Sequence, residues 1–110
     1  GTCIRDFIHI EDLVAGHIKA LEFCYKNTGL EIFNLGTGSG YTVLELINTF
    51  EKVSGKKISY EFIKRRDGDV SSCVANPQKA NKILGWSSVF DIKDMCADTL
   101  KFIHNNRKII

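Results

Sequence analysis

Apolar residues at helical spacing predict a first helix near the start of the chain. Asp12 precedes most of this pattern and can cap the helix by accepting a hydrogen bond from a free backbone N–H group. Gly29 follows the last apolar residue and can end the helix. The apolar face of this helix consists of Leu13, Val14, Ile18, Leu21, Cys24 and Tyr25, and several apolar faces of the chain lack a partner within it.

A second helix carries start and stop signals at both ends. Thr42 and Glu45 have the spacing of a capping box, in which each side chain accepts a hydrogen bond from the other residue's free N–H group. Gly55 can terminate the helix. The apolar stripe predicted for its buried side consists of Val43, Ile47, Phe50 and Val53.

Two further helices are predicted in the last third of the chain. Asn76 and Pro77 suit the cap and first position of a short helix that ends at Gly85, and Trp86 directly after it is expected to anchor the core. Asp91 then begins the last helix. One side of that helix carries Ile92, Met95, Cys96, Thr99, Leu100 and Ile103.

Strand patterns are few and short. Residues 31–35 read as one strand, and at 58–62 the apolar Ile58, Tyr60 and Phe62 alternate with polar residues. Two or three such strands cannot form a closed sheet of their own. We therefore predict an α/β fold whose strands join, or pack beside, a parallel sheet from outside this chain, with ligand held in the crevice between the two parts. A self-sufficient α+β mini-domain is the alternative.

Composition narrows the class of protein. The 110 residues make at most one domain, and 15 Lys and Arg against 13 Asp and Glu do not indicate a nucleic-acid or membrane surface. The absence of a long apolar run and of a signal peptide predicts a cytoplasmic protein. Cys-x-x-Cys spacing is absent, so we expect no metal site and four free thiols, at Cys3, Cys24, Cys73 and Cys96.

The candidate chemistry is cationic. Residues 64–69 form a basic turn that contains Arg65 and Arg66, and Arg5 lies in a second polar break between apolar runs. The planar fork of an arginine matches phosphate oxygens bidentately, so Arg5 and the turn could converge on one diphosphate. Solvated surface charge is the alternative interpretation of these residues.

The glycine loop at 36–40 also suggests phosphate binding, but we interpret it as a tight turn between strand and helix, because the capping box leaves few free donors there. A dinucleotide fingerprint would need a third glycine where Tyr41 stands. No Tyr-x-x-x-Lys pair is predicted on a helix. We expect His9 and His17 to be packing or surface histidines rather than catalysts.

Three motifs in this order and spacing resemble the C-terminal part of UDP-glucose 4-epimerases. They are GTCIRDFIHIEDL at 1–13, NLGTGSGYT at 34–42 and RRDGD at 65–69, and the resemblance continues through NPQKANKILGW at 76–86 to the last helix. It implies an extended short-chain dehydrogenase fold of Rossmann type, mostly helices with two or three short strands. Residues 1–110 would be its C-terminal UDP-sugar-binding segment, and the NAD-binding N-terminal half would lie outside this chain.

The resemblance also assigns site residues by motif position. Arg5 and Arg66 correspond to the arginines that bind the UDP diphosphate, and Asp69 to the aspartate that binds the uridine ribose. Cys73 stands where the family has either a bulky tyrosine or a small residue beside the sugar, so N-acetylated UDP-sugars become candidate substrates. No catalytic, NAD-binding or metal-binding residue is assigned to this chain.

The implied activity is an isomerase reaction of galactose metabolism. The intact enzyme would interconvert UDP-galactose and UDP-glucose, with a tightly held NAD taking hydride from C4 of the sugar and returning it to the other face. We expect a cytoplasmic homodimer, and we expect this chain alone to be inactive. A UDP-pentose 4-epimerase for xylose or arabinose, and a non-catalytic nucleotide-sugar-binding protein of the same fold, remain alternatives.

Overall fold

Three α-helices and a small mixed sheet make up residues 2–107, the part of the chain that our computed structural model describes. In chain order the elements are β1 (Ile4–Arg5), α1 (Ile10–Lys26), β2 (Tyr41–Thr42), α2 (Val43–Ser54), β3 (Ser72–Cys73), a π-helical segment (Ala80–Leu84) and α3 (Ile92–Asn105). The high helix content and the few short strands agree with the predicted α/β class.

The sheet has the order β2-β1-β3. β1 pairs antiparallel with β2 and parallel with β3, so that Arg5 lies opposite Tyr41 on one side and opposite Cys73 on the other. Each strand is only two residues long. The ladder by itself therefore supplies few hydrogen bonds to hold these residues in register.

The two strands that the hydrophobic pattern predicts are not the strands of this sheet. Residues 31–35 and 58–62 form no strand, and Tyr60 and Phe62 are exposed. Alternation predicts which residues share a face, but a strand also needs a neighbour to complete its hydrogen bonds. Among residues 2–107 neither segment has such a neighbour, so neither forms a strand here, and their joining a sheet from outside this chain stays a prediction.

The start of α1 differs from the prediction. His9, not Asp12, caps the helix, because its Nδ1 accepts the backbone N–H of Glu11 at 3.0 Å. Asp12 lies inside the first turn and is buried. Its carboxylate accepts the backbone N–H groups of Val89 and Phe90 at 3.1 Å, and so joins α1 to the loop before α3.

The end of α1 also comes earlier than predicted. The cap residue is Asn27, whose side-chain Nδ2 donates to the carbonyl of Phe23 at 3.0 Å, and Gly29 lies two residues beyond it. The amide side chain satisfies one of the free carbonyls at the helix end. Glycine is therefore not the terminating residue of this helix.

The predicted apolar face of α1 is largely exposed within this chain. Val14, Ile18 and Leu21 are about half exposed, and Tyr25 is 83% exposed. The helix carries apolar or small residues on more than one side, and the side that packs is marked by Asp12, Gly16, Ala20 and Phe23. Gly16 permits close approach, because a Cβ placed there would lie 2.7 Å from Cδ1 of Leu35.

α2 begins and ends as predicted. Thr42 and Glu45 form the capping box, and Gly55 ends the helix in the left-handed region, with its N–H donating to the carbonyl of Glu51. α2 packs against α3. Of the predicted stripe, Ile47, Phe50 and Val53 are half-buried, whereas Val43 is more exposed.

α3 likewise begins at its predicted cap, Asp91, which forms a second capping box with Asp94. Cys96 on this helix is fully buried, and Ile103 is 44% exposed. The cap was predictable because it depends only on residues within one turn. The burial of each position depends on what packs against the helix.

The core lies between α1 and the π-helical segment. Ala80, Leu84 and Trp86 are buried there, and Phe23 and Phe33 pack against them. The short helix ends at Gly85 as predicted, with a left-handed cap whose N–H donates to the carbonyl of Ala80. Its widening to a π-helix was not predicted. Trp86 is the core anchor that the sequence indicated.

Candidate functional site

Two of the four predicted site residues meet across the sheet. Arg5 on β1 and Cys73 on β3 are register partners in a parallel pair. Both line an open groove of about 670 Å³. Other residues that line the groove include Asp6, Leu13, His17, Asn34, Val74 and Asn76.

Arg5 has donors to spare for a ligand. Its Nη1 donates to the carbonyl of Ile4 at 2.8 Å, and the side chain is half-buried at the groove. A guanidinium has five N–H donors in a planar fork. The bond to Ile4 thus uses one donor and orients the group, and further donors are available for an anion such as a phosphate.

The other two predicted residues form a separate local unit. Nε of Arg66 lies 3.2 Å from Oδ2 of Asp69, and the backbone N–H of Asp69 donates to the carbonyl of Arg66. Gly68 between them has a positive φ of 85°, which closes the turn. The Arg66 side chain is 84% exposed and that of Asp69 is 27% exposed.

Arg66 and Asp69 do not line the groove beside Arg5. Convergence of Arg5 and Arg66 on one diphosphate therefore stays a prediction. The turn that carries Arg66 and Asp69 lies only a few residues before β3, and β3 is paired with Arg5. Arg65, the neighbouring arginine, is also exposed.

The glycine loop at 36–40 is a turn built around a side chain that the sequence reasoning missed. The carboxylate of Asp6 accepts the backbone N–H groups of Thr37 and Gly38, both at 3.0 Å. Those donors would be the ones to cradle a phosphate. The loop therefore does not fit a dinucleotide, in agreement with its interpretation as a turn. The available signal was an aspartate in the same polar break as Arg5.

His9 and His17 each have a partner within the chain. His9 is buried, stacks on Phe90 with ring centroids 4.4 Å apart, and places Nε2 2.9 Å from Oδ2 of Asp98. Together with its capping role, this makes His9 a packing residue. His17 is exposed at the edge of the groove, with Nδ1 2.8 Å from the carbonyl of Leu13.

The cysteines differ in their surroundings. Cys24 and Cys73 are exposed, Cys3 is half-buried, and burial raises the pKa of the Cys96 thiol. Within residues 2–107 no three His, Cys, Asp or Glu side chains are grouped to hold a metal ion. No helix in this part of the chain has the length and apolar character needed to cross a membrane.

Comparison with known proteins places this arrangement in context. The chain is 49% identical over 106 residues to a UDP-glucose 4-epimerase of Bacillus subtilis, a match that covers 96% of this chain and 31% of that protein. It thus spans about a third of the length of the relatives that it matches. No family model matches the chain.

Solved structures show the same similarity as the sequence comparison. The crystal structure of UDP-glucose 4-epimerase from Bifidobacterium longum, in complex with NAD⁺ and UDP, superposes with a TM-score of 0.91 at 40% identity, covering 99% of this chain and 32% of that one. The UDP-Glc/GlcNAc 4-epimerase of Campylobacter jejuni gives a TM-score of 0.83 at 33% identity, covering 94% and 32%. The resemblance inferred from three short motifs is confirmed: over nearly its whole length the chain is similar to the C-terminal part of UDP-glucose 4-epimerases, which have the extended short-chain dehydrogenase fold.

Proposed function

We propose that this chain is the UDP-sugar-binding part of an NAD-dependent UDP-glucose 4-epimerase, which interconverts UDP-galactose and UDP-glucose. The observation that supports it best is the placement of Arg5 beside Cys73 over a groove of about 670 Å³. This occurs in a chain that is 49% identical to such an enzyme. The groove offers a cationic group and space, which a nucleoside diphosphate needs.

Each residue has a distinct role in this proposal. Arg5 and Arg66 bind the diphosphate, since a guanidinium matches phosphate oxygens geometrically and neutralises their charge. Asp69 accepts hydrogen bonds from the ribose hydroxyls, as a carboxylate can accept two of them. The ion pair between Arg66 and Asp69 supports the assignment, because it holds both groups in one turn before any ligand arrives.

The proposed reaction requires different contacts to the nucleotide and to the sugar. Epimerisation at C4 requires the hexose to present both faces of C4, while the nucleotide stays bound. Firm contacts to UDP and loose contacts to the sugar satisfy both needs. In this proposal the chain supplies the firm contacts.

NAD is bound outside this chain, since the glycine loop at 36–40 has its donors occupied by Asp6. The exposed apolar side of α1, with Val14, Ile18 and Leu21, supports packing against a further part of the enzyme. We further propose that the intact enzyme is a cytoplasmic homodimer of galactose metabolism. The homodimer, the cytoplasmic location and the role in galactose metabolism are supported by the family resemblance and not by a contact in this chain.

A turnover assay on the intact protein tests the proposal. UDP-galactose should be converted to UDP-glucose, and UDP-xylose should be a much poorer substrate. Preference for UDP-xylose would replace the hexose assignment by a pentose epimerase. Binding of UDP without turnover of either sugar would indicate a non-catalytic nucleotide-sugar-binding protein.

A wider substrate range is a second proposal, and the exposed position of Cys73 at the groove favours it. Cysteine is small, and tyrosine at the same place would fill the space where an N-acetyl group at C2 of the sugar is expected. Overpacking of that kind costs about 1 to 3 kcal/mol. We propose that UDP-GlcNAc and UDP-GalNAc are also interconverted.

The test is Cys73→Tyr in the intact enzyme, with Cys24→Tyr as a matched control, because Cys24 is exposed on α1 and does not line the groove. Activity on the N-acetylated pair should collapse in Cys73→Tyr while UDP-galactose turnover survives. Cys24→Tyr should retain both activities. Equal loss of both activities in Cys73→Tyr would show a packing role rather than substrate selection.

A further inference from the structure

The carboxylate of Asp6 is the most heavily hydrogen-bonded side chain at the groove. Its Oδ1 accepts the N–H of Thr37 at 3.0 Å and the hydroxyl of the same residue at 2.6 Å. Its Oδ2 accepts the N–H of Gly38 at 3.0 Å and that of Ala75 at 3.2 Å. One side chain thus joins β1 to the glycine loop and to the segment after β3.

The glycine loop is shaped to admit this carboxylate. A Cβ placed on Gly36 would lie 2.7 Å from Oδ2 of Asp6 and 2.5 Å from Cβ of Ala75. Both distances are shorter than van der Waals contact allows. Glycine is required at position 36 because three pieces of chain meet there around the Asp6 side chain.

Asp6 also fixes the position of its neighbour in the chain. Its backbone N–H donates to the carbonyl of Cys73 at 3.2 Å, directly after the register pair of Arg5 with Cys73. Since β1 and β3 are two residues long, the ladder alone leaves their relative position weakly held. Beside this bond and that from the Ile4 N–H to the carbonyl of Ser71, the bond from Ala75 to the Asp6 carboxylate adds a third across the same strand pair.

We infer that Asp6 is a positioning residue for UDP-sugar binding, acting through Arg5, an inference that rests on the proposed function. Asp6 itself makes no contact with the nucleotide, because four donors already occupy its carboxylate. Its role requires a carboxylate. An asparagine has one carbonyl oxygen and one NH₂ group in place of the two carboxylate oxygens. Its oxygen could accept either from Thr37 or from Gly38 and Ala75, and its NH₂ group would then face the remaining N–H donors.

The experiment measures the dissociation constant of UDP, by calorimetry, on the intact enzyme and its Asp6→Asn variant. We expect the dissociation constant of UDP to rise by about tenfold to a hundredfold, because Arg5 would be displaced from its position for binding. In an Arg5→Ala background, Asp6→Asn should change it by less than about twofold, because two residues that act through one contact are not additive. Full additivity of the two substitutions would overturn the inference.

Asp12→Asn is the matched control. Asp12 is also a carboxylate that accepts backbone N–H groups from a distant segment, but it does not line the groove. The Asp12→Asn substitution should lower the thermal midpoint of unfolding. It should leave the dissociation constant of UDP within about twofold of the value for the unsubstituted enzyme. Equal weakening of UDP binding by Asp6→Asn and Asp12→Asn would reduce Asp6 to a stabilising residue.

Thr37→Ala covers the case in which Asp6→Asn does not fold. The substitution removes the hydroxyl donor to Oδ1 of Asp6 and the acceptor of the Ser39 N–H, and it should weaken UDP binding in the same direction by a smaller factor. An unchanged dissociation constant in a folded Thr37→Ala enzyme, with Asp6→Asn unfolded, would overturn the inference. Failure of the unsubstituted enzyme to bind UDP would overturn the proposed function together with this inference. Normal binding by Asp6→Asn would overturn the inference alone.

Discussion

Trp86 donates its indole Nε1–H to the backbone carbonyl of Asp12 at 2.9 Å, and both residues are nearly fully buried, at 4% and 3% exposed. The bond links two positions 74 residues apart. Asp12 therefore serves two segments, since its main chain accepts from Trp86 and its side chain accepts from Val89 and Phe90. The start of α1 and the loop before α3 are held together at this one residue.

Replacing Asp12 by alanine should destabilise the protein. The change leaves the N–H groups of Val89 and Phe90 without their charged acceptor in a partly buried site, which costs about 1 to 3 kcal/mol of unfolding free energy. Urea unfolding followed by circular dichroism measures the loss. Glu11→Ala is the control, because Glu11 is exposed in the same helical turn and its loss should stay below about 1 kcal/mol. Equal losses would show that the buried hydrogen bonds contribute little.

The two arginines of the basic turn should differ in their effect on UDP binding. Arg66→Ala in the intact enzyme is expected to weaken binding by about 2 to 4 kcal/mol, because it removes a charge-assisted contact to phosphate. Arg65→Ala should have a much smaller effect. Inhibition constants for UDP measure both. Similar losses would mean that the turn acts as a diffuse basic patch, and that the assignment of Arg66 is wrong.

Bound UDP should protect one cysteine from alkylation. Cys73 lines the groove and Cys24 does not, although both are exposed. In the intact enzyme, UDP should slow iodoacetamide labelling of Cys73 by about tenfold and leave that of Cys24 unchanged, as expected for a thiol that ligand occupancy covers. Mass spectrometry of the digested protein gives both rates.

Cys96 provides the internal reference for the same labelling experiment. It is buried, and burial raises the pKa of its thiol, so it should react only on unfolding. Fast labelling of Cys96 would show that the protein had opened. Unprotected Cys73 in a folded, UDP-bound enzyme would place the nucleotide outside this groove.

The capping box of α2 should make stability depend on pH. The backbone N–H of Thr42, and then its hydroxyl, hold the pKa of the Glu45 carboxyl below its ordinary value. Because the folded pKa is depressed, the stabilising effect is present above the unfolded pKa of about 4.3 and is lost as the pH falls through the folded pKa. Glu45→Gln should therefore lower the thermal midpoint at pH 7, and the difference should shrink under acid conditions.

Thermal unfolding of both proteins between pH 7 and about pH 3, a range that brackets the ordinary glutamate pKa, measures this difference. Glu61→Gln serves as the control, since Glu61 is exposed in a segment that is neither helix nor strand. The thermal midpoint of the Glu61→Gln protein should equal that of the unsubstituted protein at every pH. A difference for Glu45→Gln that stays constant with pH would contradict the role of the ionised carboxyl.

The local signals in the sequence determined where most of the helices begin and end. The capping box at Thr42, the helix start at Asp91 and the left-handed glycines at Gly55 and Gly85 depend on hydrogen bonds within one turn, so residue type and spacing suffice to predict them. Three motifs at fixed spacing were also enough to indicate the family resemblance. The burial of Trp86 followed from its size and its place after a helix stop.

Tertiary structure alone decided which faces and strands are used. α1 has more than one apolar side, and only the packing of Phe23 and Gly16 against Leu35, Leu84 and Trp86 selects the inward one. Within residues 2–107 the segments 31–35 and 58–62 have no strand partner, whereas two-residue strands formed where Arg5 met Tyr41 and Cys73. The partners of Asp6 and Asp12 were decided in the same way: they lie 31 to 78 residues away, and no local pattern encodes such distances.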